Sequence, residues 1–184
     1  MIPASWRKLM PKPLRKSRLP VTAKNMSATL FALWLLAAPA IADAQEAVFV
    51  VRHAERADTS EDSLLSAAGQ ARAMRLAAIL KDAGISQIFT TDLRRTIQTA
   101  GPVAAALTLK PIELPANDLD GLLAKLRSSA IRNKVLVVGH SNTVPEIVRR
   151  LGVATPVTIG DEYDNLLIVI PREGSTASLV RLRY

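Results

Sequence analysis

The chain of 184 residues contains only two histidines, His53 and His140. Each stands just beyond an apolar run: residues 48–51 lead into Arg52-His53, and residues 135–138 lead into Gly139-His140. Continuous apolar runs of this length suit strands buried on both faces, as in a parallel sheet. Ligands of open α/β sheets bind outside the carboxyl ends of the strands, so the two imidazoles are expected to converge there. An imidazole attacks an electrophile only when neutral, which requires an acceptor that fixes its other nitrogen as N–H.

The neighbouring residues narrow the chemistry. Arg52 directly precedes His53, and Thr90-Thr91-Asp92-Leu93 delivers Arg94 and Arg95 to a helix start. Guanidinium forks and helix N-termini both hold phosphate oxygens. Beyond His140 another helix start is expected, with Asn142 or Thr143 as cap and Pro145 in the first turn. So cationic a field suits an anionic substrate and opposes a metal cation. His-Glu-x-x-His spacing is absent, so no metal and no cofactor is expected. Gly139-His140-Ser141-Asn142-Thr143 superficially resembles a serine-hydrolase elbow, but the last glycine is missing and no histidine follows the serine.

The elements that must position these residues follow from the pattern. Helices are expected over 67–82 (capped by Ser66 and stopped by Gly84), 93–107, 119–129 and 145–151. Strands are expected over 47–51, 87–90, 111–114, 135–138, 166–170 and 178–183, the last two paired through a turn at Glu173-Gly174. Such alternation predicts an α/β fold: a three-layer sandwich with a mainly parallel central sheet flanked by helices.

Four segments in order resemble the histidine phosphatase superfamily, the phosphoglycerate mutase-like proteins. They are Arg52-His53-Ala54-Glu55, Leu65-Ser66-x-x-Gly69-x-x-Arg72-Ala73, Thr91-x-Leu93-x-Arg95-x-x-Gln98-Thr99-Ala100 and Val138-Gly139-His140-Ser141-Asn142. The resemblance spans about residues 47–151 and is similar in scale to the small bacterial phosphohistidine phosphatases. It implies a metal-independent phosphatase in which His53 forms a covalent phosphohistidine, with Arg52, Arg95 and His140 holding the phosphoryl oxygens. Arg94 is expected to be a solvated helix-start charge. The substrate would be a phosphate monoester or phosphoramidate, on a small molecule or a phosphoprotein. The arginines are expected to lower the pKa of His53 and keep it neutral.

Three departures stand out. The family's Arg-His-Gly reads Arg52-His53-Ala54, which matters if that position needs a positive φ. Arg56 replaces a small hydroxyl residue. The proton donor to the leaving group is open between Glu55 and Asp118, with Asp120 nearby. The alternative is therefore a degenerate, non-catalytic domain that binds phosphorylated or anionic ligands. The short segment between Arg95 and residue 135 leaves no room for a large cap domain. Asp161-Glu162-Tyr163-Asp164 is either a solvated turn or a rim that selects the leaving group.

Composition bounds the rest. The net charge of +8 is concentrated at the start: residues 1–44 hold seven of the 24 basic residues and one of the 16 acids, leaving 17 and 15 thereafter. The high charge therefore gives no support for nucleic-acid binding. A basic stretch, an apolar run over 28–42 and small residues follow the order of a signal peptide over 1–44, cleaved after Ala42 or Ala44. Met26 is a possible true start. A periplasmic or secreted domain over 45–184 is expected, at the membrane only if the leader stays uncleaved. With no cysteine, disulfides are impossible and stability must come from the core.

Overall fold

The computed structural model describes residues 47–128, 133–172 and 174–184. The expected leader over 1–44, the end of the helix at residue 129 and Glu173 of the expected turn lie outside them. In chain order the elements are β1 (Ala47–Arg52), α1 (Ala67–Leu80), β2 (Ile85–Thr91), α2 (Arg94–Leu107), β3 (Ile112–Leu114), α3 (Leu119–Ser128), β4 (Lys134–Gly139), α4 (Thr143–Arg150), β5 (Asn165–Ile170) and β6 (Ser178–Arg183). Among the described residues no helix is long and apolar enough to cross a membrane.

One sheet holds all six strands in the order β3-β2-β4-β1-β5-β6. The first four run parallel, while β5 and β6 add an antiparallel hairpin beside β1. Because β1 and β4 lie inside the sheet, their side chains alternate between two covered faces. Phe49 and Val51 pack with Leu76 and Leu80 of α1 and Ala100 and Val103 of α2. Val48 and Val50 pack instead with Leu123 of α3 and Ile147 of α4. These are the three expected layers, and burial on both faces is why the strands read as runs instead of alternating. Each fully buried Val or Leu contributes about 1.5–3 kcal/mol. Only β3 and α3 are described between α2 and β4, so no large cap covers the sheet ends.

Local signals account for most boundaries. The Ser66 hydroxyl accepts the Gly69 N–H at 3.1 Å and starts α1, while Gly84, at φ 73°, turns the chain after it. β2 begins two residues earlier than its apolar pattern suggests, because Ile85 pairs with Lys134 across a bulge. Asp118 is the cap of α3: its Oδ1 accepts the Gly121 N–H at 2.9 Å. Helix α4 starts at Thr143, earlier than Pro145, because the turn at 141–142 folds the Thr143 and Val144 N–H groups onto the His140 carbonyl.

Candidate active site

Strand pairing brings the two histidines together. Arg52 is in register with Gly139, and the His53 N–H extends the ladder by one bond to the Gly139 carbonyl, at 2.9 Å. The rings of His53 and His140 then lie 5.4 Å apart, tilted by 58°. Gly139 itself is required by close packing, since a Cβ there would come within 3.0 Å of the Thr143 hydroxyl and 3.3 Å of Val144. That hydroxyl accepts the His140 N–H at 3.0 Å and fixes the turn into α4.

The segment after β1 is held by side chains from two helices. Thr99, fully buried in α2, accepts the Ala54 N–H at 2.9 Å and donates to the Arg95 carbonyl at 2.7 Å. Gln98 accepts the Leu65 N–H at 2.8 Å, and the Glu55 carbonyl accepts the Ser66 N–H at 2.9 Å. Gly69 lies so near that a Cβ would sit 2.3 Å from the Glu55 carbonyl oxygen. Ala54 has no positive φ, and its methyl is buried with Leu65 and Ala73. The departure from glycine at this position is therefore accommodated without backbone strain.

This frame fixes the tautomer of His53. Its Nδ1 is 2.8 Å from the Ala54 carbonyl, which can only accept, so Nδ1 carries the proton and Nε2 keeps its lone pair. The His53 pKa is lowered to about 3. Burial is the largest cause, and His140, Arg95 and Arg52 add to it; the arginines lower the pKa as expected, but less than burial does. His140 is lowered to about 4, again by burial first and then by Arg95 and Arg52. Its Nδ1 lies 3.4 Å from Arg95 Nη2, a pure donor, so its Nε2–H donates to the Thr91 hydroxyl at 3.1 Å.

Both expected arginines are present. Arg95, in the first turn of α2, donates through Nη1 to the Glu61 carbonyl. Arg52 donates to the Gly160 carbonyl at 2.9 Å and the Tyr163 hydroxyl at 3.4 Å, with its guanidinium carbon 4.1 Å from the Tyr163 ring centre. The Nε atoms of Arg52 and Arg95 are buried without a hydrogen-bond partner. Arg94 instead pairs with Asp62 at 2.8 Å on the surface. Tyr163 and Thr91 were not singled out by sequence reasoning for these contacts. An aromatic residue inside an acidic turn next to β5, the neighbour of β1, was the available signal for Tyr163.

The expected proton donors are not in the cleft. Glu55 makes a bidentate pair with Arg72, at 2.7–3.0 Å, which holds its carboxyl below the usual range despite partial burial. Asp118 caps α3, and Asp120 pairs with Arg150 at 2.6 Å. The cleft, about 560 Å³, is lined by Arg52, His53, Arg56, Arg95, His140 and neutral residues including Asn117 and Ser141, and by no carboxylate among the described residues. Two acids of the 161–164 turn are held by Arg183. Asp164 and Glu162 pair with Arg183 at 2.5 and 3.6 Å, and the turn reaches the site through Tyr163 and backbone carbonyls on Arg52.

Fold and site together define an α/β protein with a tautomer-locked histidine facing an arginine-lined anion cleft. Residues 48–118 match the model of the histidine phosphatase superfamily (branch 1). The match covers 71 of the 184 residues and takes in Arg52, His53 and Arg95. No curated protein matches it. Among solved structures it is similar to the protein histidine phosphatase SixA complexed with tungstate, with a TM-score of 0.62 and 21% identity over 74% of this chain and 96% of that one. It is also similar to a mycobacterial glucosyl-3-phosphoglycerate phosphatase, with a TM-score of 0.61 and 15% identity over 76% and 98% of the two chains. A third is a mycobacterial hydrolase, with a TM-score of 0.60 and 15% identity over 76% and 99%. At these identities the likenesses establish the fold.

Proposed function

We propose that this protein is a phosphatase that transfers a phosphoryl group to His53 and then to water. The observation that carries the reading is the Ala54 carbonyl on His53 Nδ1, which leaves the Nε2 lone pair available beside Arg52, Arg95 and His140. The lone pair attacks phosphorus as the bond to the leaving group breaks, and the leaving group departs with that electron pair. Nδ1–H stays on Ala54 and stabilises the phosphoimidazolium. Water then attacks phosphorus, the P–N bond returns its electrons to Nε2, and phosphate leaves with the proton balance made up by solvent. Guanidinium N–H groups of Arg52 and Arg95 stabilise the equatorial oxygens. His140 joins them when the arriving dianion draws a proton onto its Nδ1.

With no carboxylate among the described residues that line the cleft, none of them supplies the leaving group with a carboxylic proton. This favours phosphoramidates, whose nitrogen can carry its own proton, and aryl phosphates, whose phenolate leaves unaided, over alkyl monoesters. The SixA structure is named as that of a protein histidine phosphatase, which supports a phosphorylated nitrogen as substrate. The basic and apolar leader over 1–44 supports export to the periplasm or beyond. The test is turnover of a phosphoramidate, an aryl phosphate and an alkyl phosphate by the wild-type chain and by His53→Ala. Turnover should follow that order and vanish in the variant. Equal rates in the two proteins would refute the nucleophile, and no turnover in either would leave an anion-binding domain.

A further inference from the structure

The cleft holds more positive charge than a phosphoryl group uses. Arg52, Arg56 and Arg95 all line it, and among the described residues no carboxylate does. Arg52 is clamped by Gly160 and Tyr163, and Arg95 by Glu61 and His140. A phosphoryl dianion between them matches two guanidinium charges.

Arg56 is placed differently. Its backbone is rigidly mounted, bridged to Leu65 and followed by an Ala57 N–H on the Leu64 carbonyl at 2.9 Å. Its side chain is exposed, and among the described residues it makes no hydrogen bond or ion pair. The acids nearby are committed elsewhere: Asp58 accepts from the Ser60 N–H and hydroxyl, and Asp62 pairs with Arg94. Arg56 still bears on the site, as the largest cause after burial that disfavours the charge on Arg95, with Asp62 and Glu61 opposing it. Asp58 lies in the field of Arg56, and Asp62 and Glu61 in that of Arg95, but they offset the like charges only in part, and the excess at the cleft attracts a further anion. The cleft volume leaves room for one beyond the phosphoryl group.

We propose that Arg56 forms a second anion subsite at the cleft and selects substrates whose leaving group carries its own phosphate or carboxylate. This rests on the phosphatase reading only in calling the ligand a substrate; the subsite itself is a matter of binding. The test is calorimetric titration of the full chain with methylphosphonate, methylenebisphosphonate and phosphonoacetate, whose P–C bonds do not turn over. Preference for the two-anion ligands over methylphosphonate should fall by about fivefold in Arg56→Gln, the scale of a partly exposed charge pair, and return in part in Arg56→Lys. Arg94→Gln, which removes the same charge outside the cleft, should keep the wild-type preference. Loss confined to the bisphosphonate or to phosphonoacetate would identify the second anion as phosphate or carboxylate. An unchanged preference in Arg56→Gln, or an equal loss in Arg94→Gln, would overturn the subsite. Since no ligand is hydrolysed, a chain without phosphatase activity can still pass this test, and an active enzyme can still fail it.

Discussion

Acidification should destabilise this protein before most carboxylates titrate. His53 and His140 are 4% and 8% exposed and are held at about 3 and about 4, against 6.5 for the free side chain. Depressed pKa values mean that the native state resists protonation, so unfolding takes up a proton at each site once the pH drops below 6.5. Their contribution is complete above that value and is lost as the pH falls toward 4. From pH 7 to pH 5 the two sites together remove up to about 4 kcal/mol, a large share of a domain's usual stability. Water in the open cleft screens part of this, so the expected loss is roughly 2–4 kcal/mol. The assay is urea unfolding followed by far-UV circular dichroism in a phosphate-free buffer, because no tryptophan lies within residues 45–184. His140→Asn should flatten the pH dependence by about half. A midpoint that is constant from pH 7 to pH 5, or an identical slope in the variant, would refute burial as the origin of the neutral histidines.

Two further outcomes follow from the frame around His53. Thr99→Val keeps the shape but leaves the buried Ala54 N–H without its acceptor, so stability should fall by about 1–3 kcal/mol. Loosening of the Ala54 peptide should also lower kcat about tenfold, the equivalent of ~1.4 kcal/mol, which steady-state kinetics on an aryl phosphate would show. Glu55→Gln should lower the unfolding midpoint by breaking the bidentate pair with Arg72, at about 1–2 kcal/mol, while turnover changes by less than about threefold. A loss of 100-fold or more in a folded Glu55→Gln protein would restore this carboxylate as the proton donor.

The order of elements and the meeting of the two histidines were legible in the sequence. The apolar runs before His53 and His140 leave few arrangements other than neighbouring parallel strands, and Ser66, Gly84 and the helical periods mark the crossovers by local chemistry. The quoted motifs also contained residues whose work only contact reveals. Gln98, Thr99, Gly69 and Arg72 all hold the segment from Ala54 to Leu65, which is a long-range relation between β1, α1 and α2.

What the sequence could not decide was where each charged side chain spends its hydrogen bonds. Glu55 stands two residues from His53, yet its carboxylate turns to Arg72; Asp118 lies in the expected loop, yet it caps α3. Tyr163 is 110 positions from His53 in the chain but, delivered by the turn before β5, its ring lies 5.8 Å away. The sequence alone thus determined which strand ends carry the chemistry, because burial and periodicity are properties of neighbouring residues. Only the tertiary structure decided that burial is the main cause depressing the His53 pKa, that no carboxylate among the described residues lines the cleft, and that Arg56 lines it with no hydrogen bond or ion pair among those residues. Desolvation and pairing depend on atoms that the fold brings together from distant segments.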